Sequence, residues 1–337
     1  MALLFLGDFY YGYSEIKEDI LKMSKIFRKN DIRVILNLEG PITQADTPIN
    51  KRGEHLRQSD LTIEVLKLLN VVGVSLANNH IMDFGESGLR DTIEILNRNG
   101  IQFSGAGFSL NDANRPMIIH DQDKEYCIYC MTDSYEEAVM ATEKDCGCAP
   151  IIIRDIDPNY KSNNNTVISF LHTGFEYNTL PMPRNINEAK QLIDCGFDYV
   201  IGSHPHLAQP KMKYKNGNIY FSIGNFYFSE FRSEFEEKLI KNKNPGFCNL
   251  GYGIFVDEKV ESIRVTYCLE TNVTHVCMDN SIDEVEIHNN KLMYIIQCWI
   301  NRNNHNPILL GNDVIDNLLL AVLNLLYFVY GLLRRIS

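Results

Sequence analysis

The chain has 337 residues, of which 45% are hydrophobic and 22% are charged, and its formal net charge is −11. A chain of this length and composition is typical of a globular protein with enough apolar side chains for a substantial core. The acidic balance and the lack of a basic stripe exclude a protein that binds mainly to nucleic-acid phosphates. We therefore expect no nucleic-acid partner.

Strand and helix patterns alternate through the first hundred residues. The apolar run Leu3–Leu6 predicts a first strand, and apolar residues at helical spacing predict a helix over Glu15–Arg28 with Ser14 as its N-cap. The next elements are predicted in the order strand, helix, strand, helix, strand: Arg33–Leu36, Leu61–Leu69 capped by Ser59, Val71–Ala77, Glu86–Asn99 before Gly100, and Ile101–Ser104. This βαβ order predicts parallel strands with right-handed crossovers.

Shorter strands are predicted in the rest of the chain. Pro116–Met131 predicts two strands around a polar turn, and residues 132–165 predict a surface loop. Another βαβ unit is predicted from Val167–Leu171, Asn187–Cys195 and Asp198–Ile201. Consecutive, mostly antiparallel strands are predicted after it: Ile219–Phe228, Gly251–Val256 and Ser262–Leu269.

The sequence changes character near residue 270, which divides the chain into a domain of residues 1–270 and an extension of residues 271–337. The extension contains an almost wholly apolar run, 318–333, followed by Arg334 and Arg335. This run is shorter than the roughly 20 residues that a spanning helix needs. We interpret it as a helix that folds onto the domain, and the alternative is a contact with a membrane.

Cysteine usage and the first residues bear on the compartment. The nine cysteines are scattered without a framework spacing, which favours reduced thiols. Met1 leads directly into a strand, without the basic and apolar segments of a signal peptide. We therefore expect a cytoplasmic protein without a signal peptide, associated with a membrane only if the C-terminal run forms that contact.

Six apolar runs end in polar residues suited to metal binding or proton transfer. In an open α/β sheet, the carboxyl ends of parallel strands line one crevice in which ligands bind. These polar residues are Asp8, Glu39, Asn79 with His80, His172, His204 with His206, and Asn225. The sequence therefore predicts carboxylate, amide and imidazole groups at one rim.

Two of these motifs are the strongest local signals. Pro205 fixes its own φ and favours extended geometry at His204, so the imidazoles of His204 and His206 are expected to face the same side. In the other motif, Asn79 offers a neutral oxygen to a cation and His80 donates a proton, with Asp83 expected to orient His80.

The remaining signals each have a simpler interpretation. Asp8 after a glycine is also typical of a helix cap or turn, and Glu39 before Gly-Pro is also typical of a solvated turn. His172 taken alone is equally consistent with a hydrogen-bonded histidine of the core. Their shared position at strand ends is what favours a common site.

The donor types indicate which ions the site prefers. A mixture of carboxylate, amide and imidazole donors suits manganese, zinc or iron more than calcium or magnesium. No thiolate belongs to the set, which argues against a closed structural zinc site. One or two ions of this kind activate a water and hold phosphoryl oxygens. We therefore expect one or two divalent metal ions as the cofactor.

The motifs, taken in order, resemble the bacterial capsule-synthesis CapA (PgsA) family, which is linked to poly-γ-glutamate. The resemblance covers about residues 2 to 268 and rests on these segments: Gly7-Asp8, Asn37–Gly40, Ala77–His80 with Asp83, His172–Gly174, Gly202–His206 and Ser222–Phe226. It implies an α/β fold, a calcineurin-like metallophosphoesterase sandwich of two mixed β-sheets flanked by helices.

The resemblance also implies roles for single residues. His80 corresponds to the general acid, assisted by Asp83, and Glu39 to a carboxylate that bridges two ions. The implied metal ligands are Asp8, Glu39, Asn79, His172, His204 and His206. Two positions depart from the pattern of metallophosphoesterases, since Tyr10 stands where a histidine is usual and Glu39 replaces an aspartate. The N-terminal membrane anchor usual in CapA proteins is also missing from this sequence.

The function implied by the resemblance is that of a metal-dependent hydrolase acting on a phosphoester of a small molecule or polymer. Two alternatives stay open. The metal centre can instead cleave or transfer an amide, as poly-γ-glutamate chemistry requires, or the protein can be a non-enzymatic, membrane-associated accessory factor for polymer synthesis.

Overall fold

The computed structural model describes residues 2–121, 124–134, 137–153, 165–229, 231–232, 239–240, 250–256, 262–268 and 273–277. The boundary predicted between residues 270 and 271 and the apolar run 318–333 both lie outside the described residues. In the part of the chain that is described, no helix combines the length and the apolar character needed to cross a bilayer.

Strands and helices alternate in the first part of the chain, as predicted. The elements are β1 (Ala2–Tyr10), α1 (Glu18–Lys29), β2 (Ile32–Leu38), α2 (Thr62–Leu68), β3 (Val71–Ser75), α3 (Gly85–Arg98), β4 (Gln102–Ser104), β5 (Ala106–Gly107) and α4 (Leu110–Ala113). Gly100 adopts a φ of 68° just beyond α3, which is the conformation expected of a glycine that ends a helix.

Both predicted serine N-caps are wrong. Helix α1 begins later than predicted, with Lys17 at the N-cap and no capping side chain, so Ser14 lies outside it. Helix α2 has Leu61 at its N-cap, while the Ser59 hydroxyl accepts the Leu61 N–H at 3.2 Å in the preceding turn. Serine in a turn and serine at an N-cap look alike in sequence because both use the hydroxyl to satisfy a nearby N–H.

The second part of the chain contributes mainly strands. Its elements are β6 (Met117–Asp121), β7 (Lys124–Thr132), β8 (Gly147–Cys148), β9 (Thr166–His172), α5 (Pro183–Asp194), β10 (Tyr199–Ser203), β11 (Lys211–Tyr214), β12 (Gly217–Tyr220), β13 (Asn225–Phe228), β14 (Phe231–Arg232), β15 (Leu239–Ile240), β16 (Leu250–Val256), β17 (Ser262–Cys268) and β18 (Val273–Cys277). The predicted β6–β7 hairpin, the parallel β9–β10 pair and the antiparallel β16–β17 pair are all confirmed.

One strand prediction is wrong in a way that matters for the site. The segment Ile219–Phe228 is not one strand, because β12 pairs in parallel with β10 while β13 pairs in parallel with β1. The chain therefore crosses from one sheet to the other between Tyr220 and Asn225. The two halves are both apolar, so their sequence pattern gives no sign of the crossing.

The strands form two large mixed sheets. The first has the order β18-β17-β16-β1-β2-β3-β4, with β13 also paired to β1, and the second has the order β11-β12-β10-β9-β7-β6. In the first, β1 runs parallel to β2 and antiparallel to β16. In the second, β7 runs parallel to β9 and antiparallel to β6.

Apolar side chains from both sheets pack face to face between them. Phe5 of β1 and Phe170 of β9 are at most 1% exposed, and their ring centroids lie 5.5 Å apart in an edge-to-face arrangement. Helical side chains such as Leu89 and Leu96 of α3 pack with apolar residues on the other face of the first sheet. Leu192 of α5 packs in the same way on the second sheet. The predicted fold class, a sandwich of two mixed sheets flanked by helices, is confirmed.

Candidate metal centre

Residues from the ends of five strands lie together where the carboxyl edges of the two sheets meet. The His204 N–H, just beyond β10, donates to Asp8 Oδ2 of β1 at 3.1 Å, which joins the two sheets directly. The approach is close because Gly7 has no side chain, and a Cβ there would lie 1.7 Å from the Gly224 carbonyl oxygen. The residues gathered here include all six predicted ligands: Asp8, Glu39, Asn79, His172, His204 and His206.

Asp8 lies at the centre of this cluster and is fully buried. The Asn37 side chain donates to Asp8 Oδ1 at 2.8 Å, and His206 Nδ1 lies 3.5 Å from Oδ2. Burial alone raises the pKa of the Asp8 carboxyl, but the hydrogen bond and charge of His172 and the charge of His206 outweigh it and hold that pKa well below its usual value. Asp8 is therefore a carboxylate at neutral pH.

Two imidazoles and one amide oxygen converge beside Asp8. His172 Nε2 lies 3.0 Å from Asn79 Oδ1 and 3.0 Å from His204 Nδ1. The other ring nitrogen of His172 lies 3.2 Å from Ser203 Oγ and 3.5 Å from Asp8 Oδ1. These oxygens can hold the ring proton on Nδ1, which leaves the Nε2 lone pair directed at the cluster.

Glu39 and His206 complete the cluster on the side of β2. Both carboxyl oxygens of Glu39 are buried without a hydrogen-bond partner, and the nearer one lies 3.8 Å from His206 Nε2. Burial, with the negative charges of Asp8, Glu176 and Asp83, raises the pKa of Glu39 well above its usual value. His206 Nδ1 is 2.9 Å from Asn225 Oδ1 at the start of β13.

The backbone at the two histidines differs from the predicted extended geometry. His204 has a φ of 99° and His206 a φ of 59°, both in the region that non-glycine residues rarely adopt. Their ring centroids nevertheless lie 6.1 Å apart, so the two imidazoles do share one side of the loop. Strained backbone of this kind persists where the surroundings fix it, and it is concentrated at functional sites.

The donor set fits a divalent cation. In the described part of the chain, the buried residues Asp8, Glu39 and His172 each place a ligand atom within 4.8 Å of the others. The Glu39 oxygens and His204 Nε2 are buried without hydrogen bonds, a costly arrangement for polar atoms that a bound cation relieves for those it contacts. Burial and the charges of His172 and His206 also lower the pKa of His204 well below its usual value, so its ring is neutral and free to coordinate.

His80 and Asp83 form a separate pair at the edge of the cluster. His80 Nδ1 lies 2.7 Å from Asp83 Oδ2, as expected of a carboxylate that orients the imidazole. Burial lowers the pKa of His80, while the charge and hydrogen bond of Asp83 act against that shift. At 14% exposure the His80 side chain is more accessible than the nearly buried histidines of the cluster. This position suits a group that exchanges protons with a ligand.

The structure adds residues that the sequence prediction did not include. Asn37 bonds Asp8 and lies 3.2 Å from His172 Nδ1, and its alternation with Glu39 on β2 was a signal for it. Lys51 forms an ion pair with Asp83, and no periodic pattern in its loop points to this contact. Tyr10 donates its hydroxyl to the Arg57 carbonyl at 3.1 Å and stacks near Phe228.

Comparisons with known proteins place this geometry in a family. Residues 5–230 match the family model described as bacterial capsule synthesis protein PGA_cap. The chain belongs to the PGA_cap family. The matched segment covers β1 through β13, and so it includes every residue of the cluster described above.

Two curated relatives of the PGA_cap chain come from Bacillus. It is 28% identical over 249 residues to the capsule biosynthesis protein CapA of Bacillus anthracis, covering 68% of this chain and 60% of that protein. It is 32% identical over 216 residues to the PGA biosynthesis protein CapA of Bacillus subtilis (strain 168), covering 61% of this chain and 55% of that protein. The chain therefore matches a little over half the length of each relative.

One solved structure similar to the PGA_cap chain is a hypothetical protein from Thermus thermophilus. The two are 14% identical with a TM-score of 0.45, and the match covers 82% of this chain and 97% of that one.

Proposed function

We propose that the chain is a metal-dependent hydrolase of the CapA type that cleaves a phosphoester. The observation that carries this proposal is the buried donor cluster, in which the Glu39 oxygens and His204 Nε2 have no hydrogen-bond partner. A protein gains nothing in stability from such a cluster unless a cation occupies it. The cluster is thus better explained by ligand binding than by folding.

The residues that hold the ion are proposed to be the six of the cluster, with one or two manganese, zinc or iron ions bound. When bound, such an ion supplies Lewis acidity to a phosphoryl oxygen and a nucleophile from water at neutral pH. Asn37 and Ser203 orient Asp8 and His172 through the contacts described above. Groups that orient ligands in this way raise the affinity of a site for its metal.

The proton step is assigned to His80. Because Asp83 Oδ2 accepts from Nδ1, Nε2 is the ring atom left to give a proton to the departing oxygen of the substrate. Asp83 stabilises the imidazolium that exists before this transfer. Asp8 and Glu39 remain in place through the step, since neither has a geometry that reaches beyond the cluster.

The relatives support an association with capsule synthesis, because both are named for the biosynthesis of capsule or PGA. We therefore propose a small-molecule or polymer substrate from that process. The net charge of −11 supports the expectation that nucleic acid is not a partner. Membrane contact through residues 318–333 stays a prediction.

The same names favour two alternatives, because a biosynthesis protein need not hydrolyse phosphoesters. The first is a metal centre that cleaves or transfers a γ-glutamyl amide. The second is a non-enzymatic accessory factor in which the cluster binds metal only to hold the two sheets together.

One experiment separates these three functions. The purified full-length chain is dialysed, analysed for metal, and assayed with p-nitrophenyl phosphate, bis-p-nitrophenyl phosphate and a γ-glutamyl p-nitroanilide in the presence of manganese, zinc or iron. We expect phosphoester hydrolysis that EDTA abolishes and added metal restores. Hydrolysis of the anilide alone supports the amide alternative, and bound metal without turnover of any substrate supports the accessory alternative.

A further inference from the structure

The loop between β2 and α2 carries a lysine into the interior of the site. Lys51 lies near the middle of this loop, and its side chain is only 8% exposed. A buried ammonium group is costly unless it is paired and hydrogen-bonded. Lys51 is both, since it forms an ion pair with Asp83 Oδ1 and donates to the Asn79 carbonyl at 3.2 Å.

Asp83 is the point at which this loop is anchored. The Ile49 N–H donates to the Asp83 carbonyl at 2.9 Å, and the Leu56 N–H donates to Asp83 Oδ2 at 2.7 Å. Lys51 binds the other carboxylate oxygen. Residues on both sides of Lys51 are therefore fixed to one fully buried carboxylate, so the ammonium has little freedom to leave it.

The contacts around Asp83 decide where the proton of His80 lies. Asp83 Oδ2 is 2.7 Å from His80 Nδ1 and already accepts the Leu56 N–H, while Oδ1 faces the ammonium. A carboxylate surrounded by donors only accepts, so the shared proton belongs on His80 Nδ1. The separation of 3.2 Å between Lys51 Nζ and Nδ1 is then a contact between two donors, and both hydrogens point at Asp83.

We propose that Lys51 is a positioning residue that keeps the His80 proton on Nδ1 and thereby reserves Nε2 for the substrate. The site of the proton follows from the contacts alone. Its consequence for catalysis rests on the proposed function. Without the ammonium, the buried carboxylate loses its countercharge and the proton shared with His80 moves toward Asp83, which changes the tautomer of the ring.

The test reads the tautomer directly. Long-range ¹H–¹⁵N spectra of the full chain labelled with ¹⁵N-histidine distinguish a protonated ring nitrogen from an unprotonated one, and His80→Gln identifies the His80 signals. We expect protonated Nδ1 and unprotonated Nε2 in the wild-type protein. In Lys51→Met we expect a mixture of tautomers or protonated Nε2, and in Lys51→Arg we expect the wild-type pattern.

The matched control is Arg52→Met, which removes the neighbouring exposed cation and retains the backbone N–H that donates to Glu137 Oε2 at 3.0 Å. We expect the wild-type tautomer in this variant. An unchanged tautomer in Lys51→Met overturns the proposal, and so does protonated Nε2 in the wild type. The wild-type spectrum decides the matter even if Lys51→Met does not fold, which thermal denaturation reveals.

Kinetics separate this proposal from the proposed function. If the chain hydrolyses phosphoesters, Lys51→Met should lower kcat by about 10- to 100-fold with little change in KM, less than the roughly 10²- to 10⁴-fold attributed to loss of a general acid itself. Metal content should equal that of the wild type, because Lys51 is not a ligand. A chain without turnover refutes the proposed function and leaves the tautomer result standing.

Discussion

His172 Nε2 lies 3.0 Å from His204 Nδ1, and the two residues are only 3% and 1% exposed. The rings meet at an interplanar angle of 56° with centroids 4.6 Å apart, so neither stacks on the other. Both nitrogens cannot carry a proton at this distance, and at least one lone pair faces its neighbour. A cation between them and Asn79 Oδ1 is the simplest group that satisfies both rings.

His204→Ala should therefore lower the amount of metal that survives dialysis. We expect the affinity for zinc or manganese to fall by at least about 10-fold, since loss of even an outer-shell group costs about 10- to 100-fold. Elemental analysis and calorimetric titration measure this. His120→Ala is the control, because the His120 side chain is 72% exposed and lies away from the cluster. Equal metal content in the two variants would show that His204 is not a ligand.

Glu39→Gln should stabilise the metal-free protein at neutral pH. Because the pKa of Glu39 is raised in the folded state, its contribution to stability is complete below the usual value of 4.5 and is lost as pH rises toward the raised pKa. The free energy of unfolding of the EDTA-treated wild type should therefore fall with pH above about 4.5, and less steeply in Glu39→Gln. Urea unfolding at several pH values measures this, and parallel pH curves for the two proteins would contradict it.

His80→Ala should separate proton transfer from metal binding. Because His80 bonds Asp83 and is not among the proposed ligands, we expect wild-type metal content with kcat lower by about 10²- to 10⁴-fold. Metal analysis and steady-state kinetics on the same preparation measure both quantities. Metal loss as large as that of His204→Ala would make His80 a ligand.

Phe170→Ala should destabilise the packing between the two sheets. The ring is 1% exposed and contacts Phe5 across the sandwich, so we expect a loss of about 3–5 kcal/mol in the free energy of unfolding. Leu21→Ala provides the control, because Leu21 is 42% exposed on α1 and should cost about 0.5 kcal/mol or less. Similar losses in the two variants, measured by urea denaturation, would argue against the packing described here.

Cys148 should resist alkylation in the folded protein. Burial raises the pKa of its thiol to about 12, so the reactive thiolate is scarce at pH 8.5 and increases only as the pH approaches that value. Cys195 is partly exposed and should react first with iodoacetamide, which mass spectrometry of the digested protein detects. Modification of Cys148 at the rate of Cys195 would show that the strand containing Cys148 opens readily.

Much of the fold is predictable because its signals are local. The alternation of apolar runs and amphipathic segments in the first hundred residues gives β1 to β4 and α1 to α3 with bounds close to those observed. Polar residues at strand ends predicted the position of Asp8, Glu39 and His172, because parallel strands must end at a common edge. Their roles as ligands stay predictions.

Other features depend on contacts between distant segments. The path of Ile219–Phe228 across the two sheets and the positive φ values of His204 and His206 follow from packing against β1, which lies about two hundred residues earlier in the chain. A residue's own neighbours carry no record of such a contact, so periodicity and local φ preferences both gave the wrong answer there.

The sequence by itself determined the sandwich and the set of polar strand ends, because hydrophobic periodicity and chain direction are properties of short segments. Only the tertiary structure decided that Lys51 belongs to the site. Lys51 lies 32 positions before Asp83 in a loop without periodic pattern, and it is buried only because Asp83 accepts donors from both sides of it. The cost of burying a charge is met by a partner that folding alone brings near.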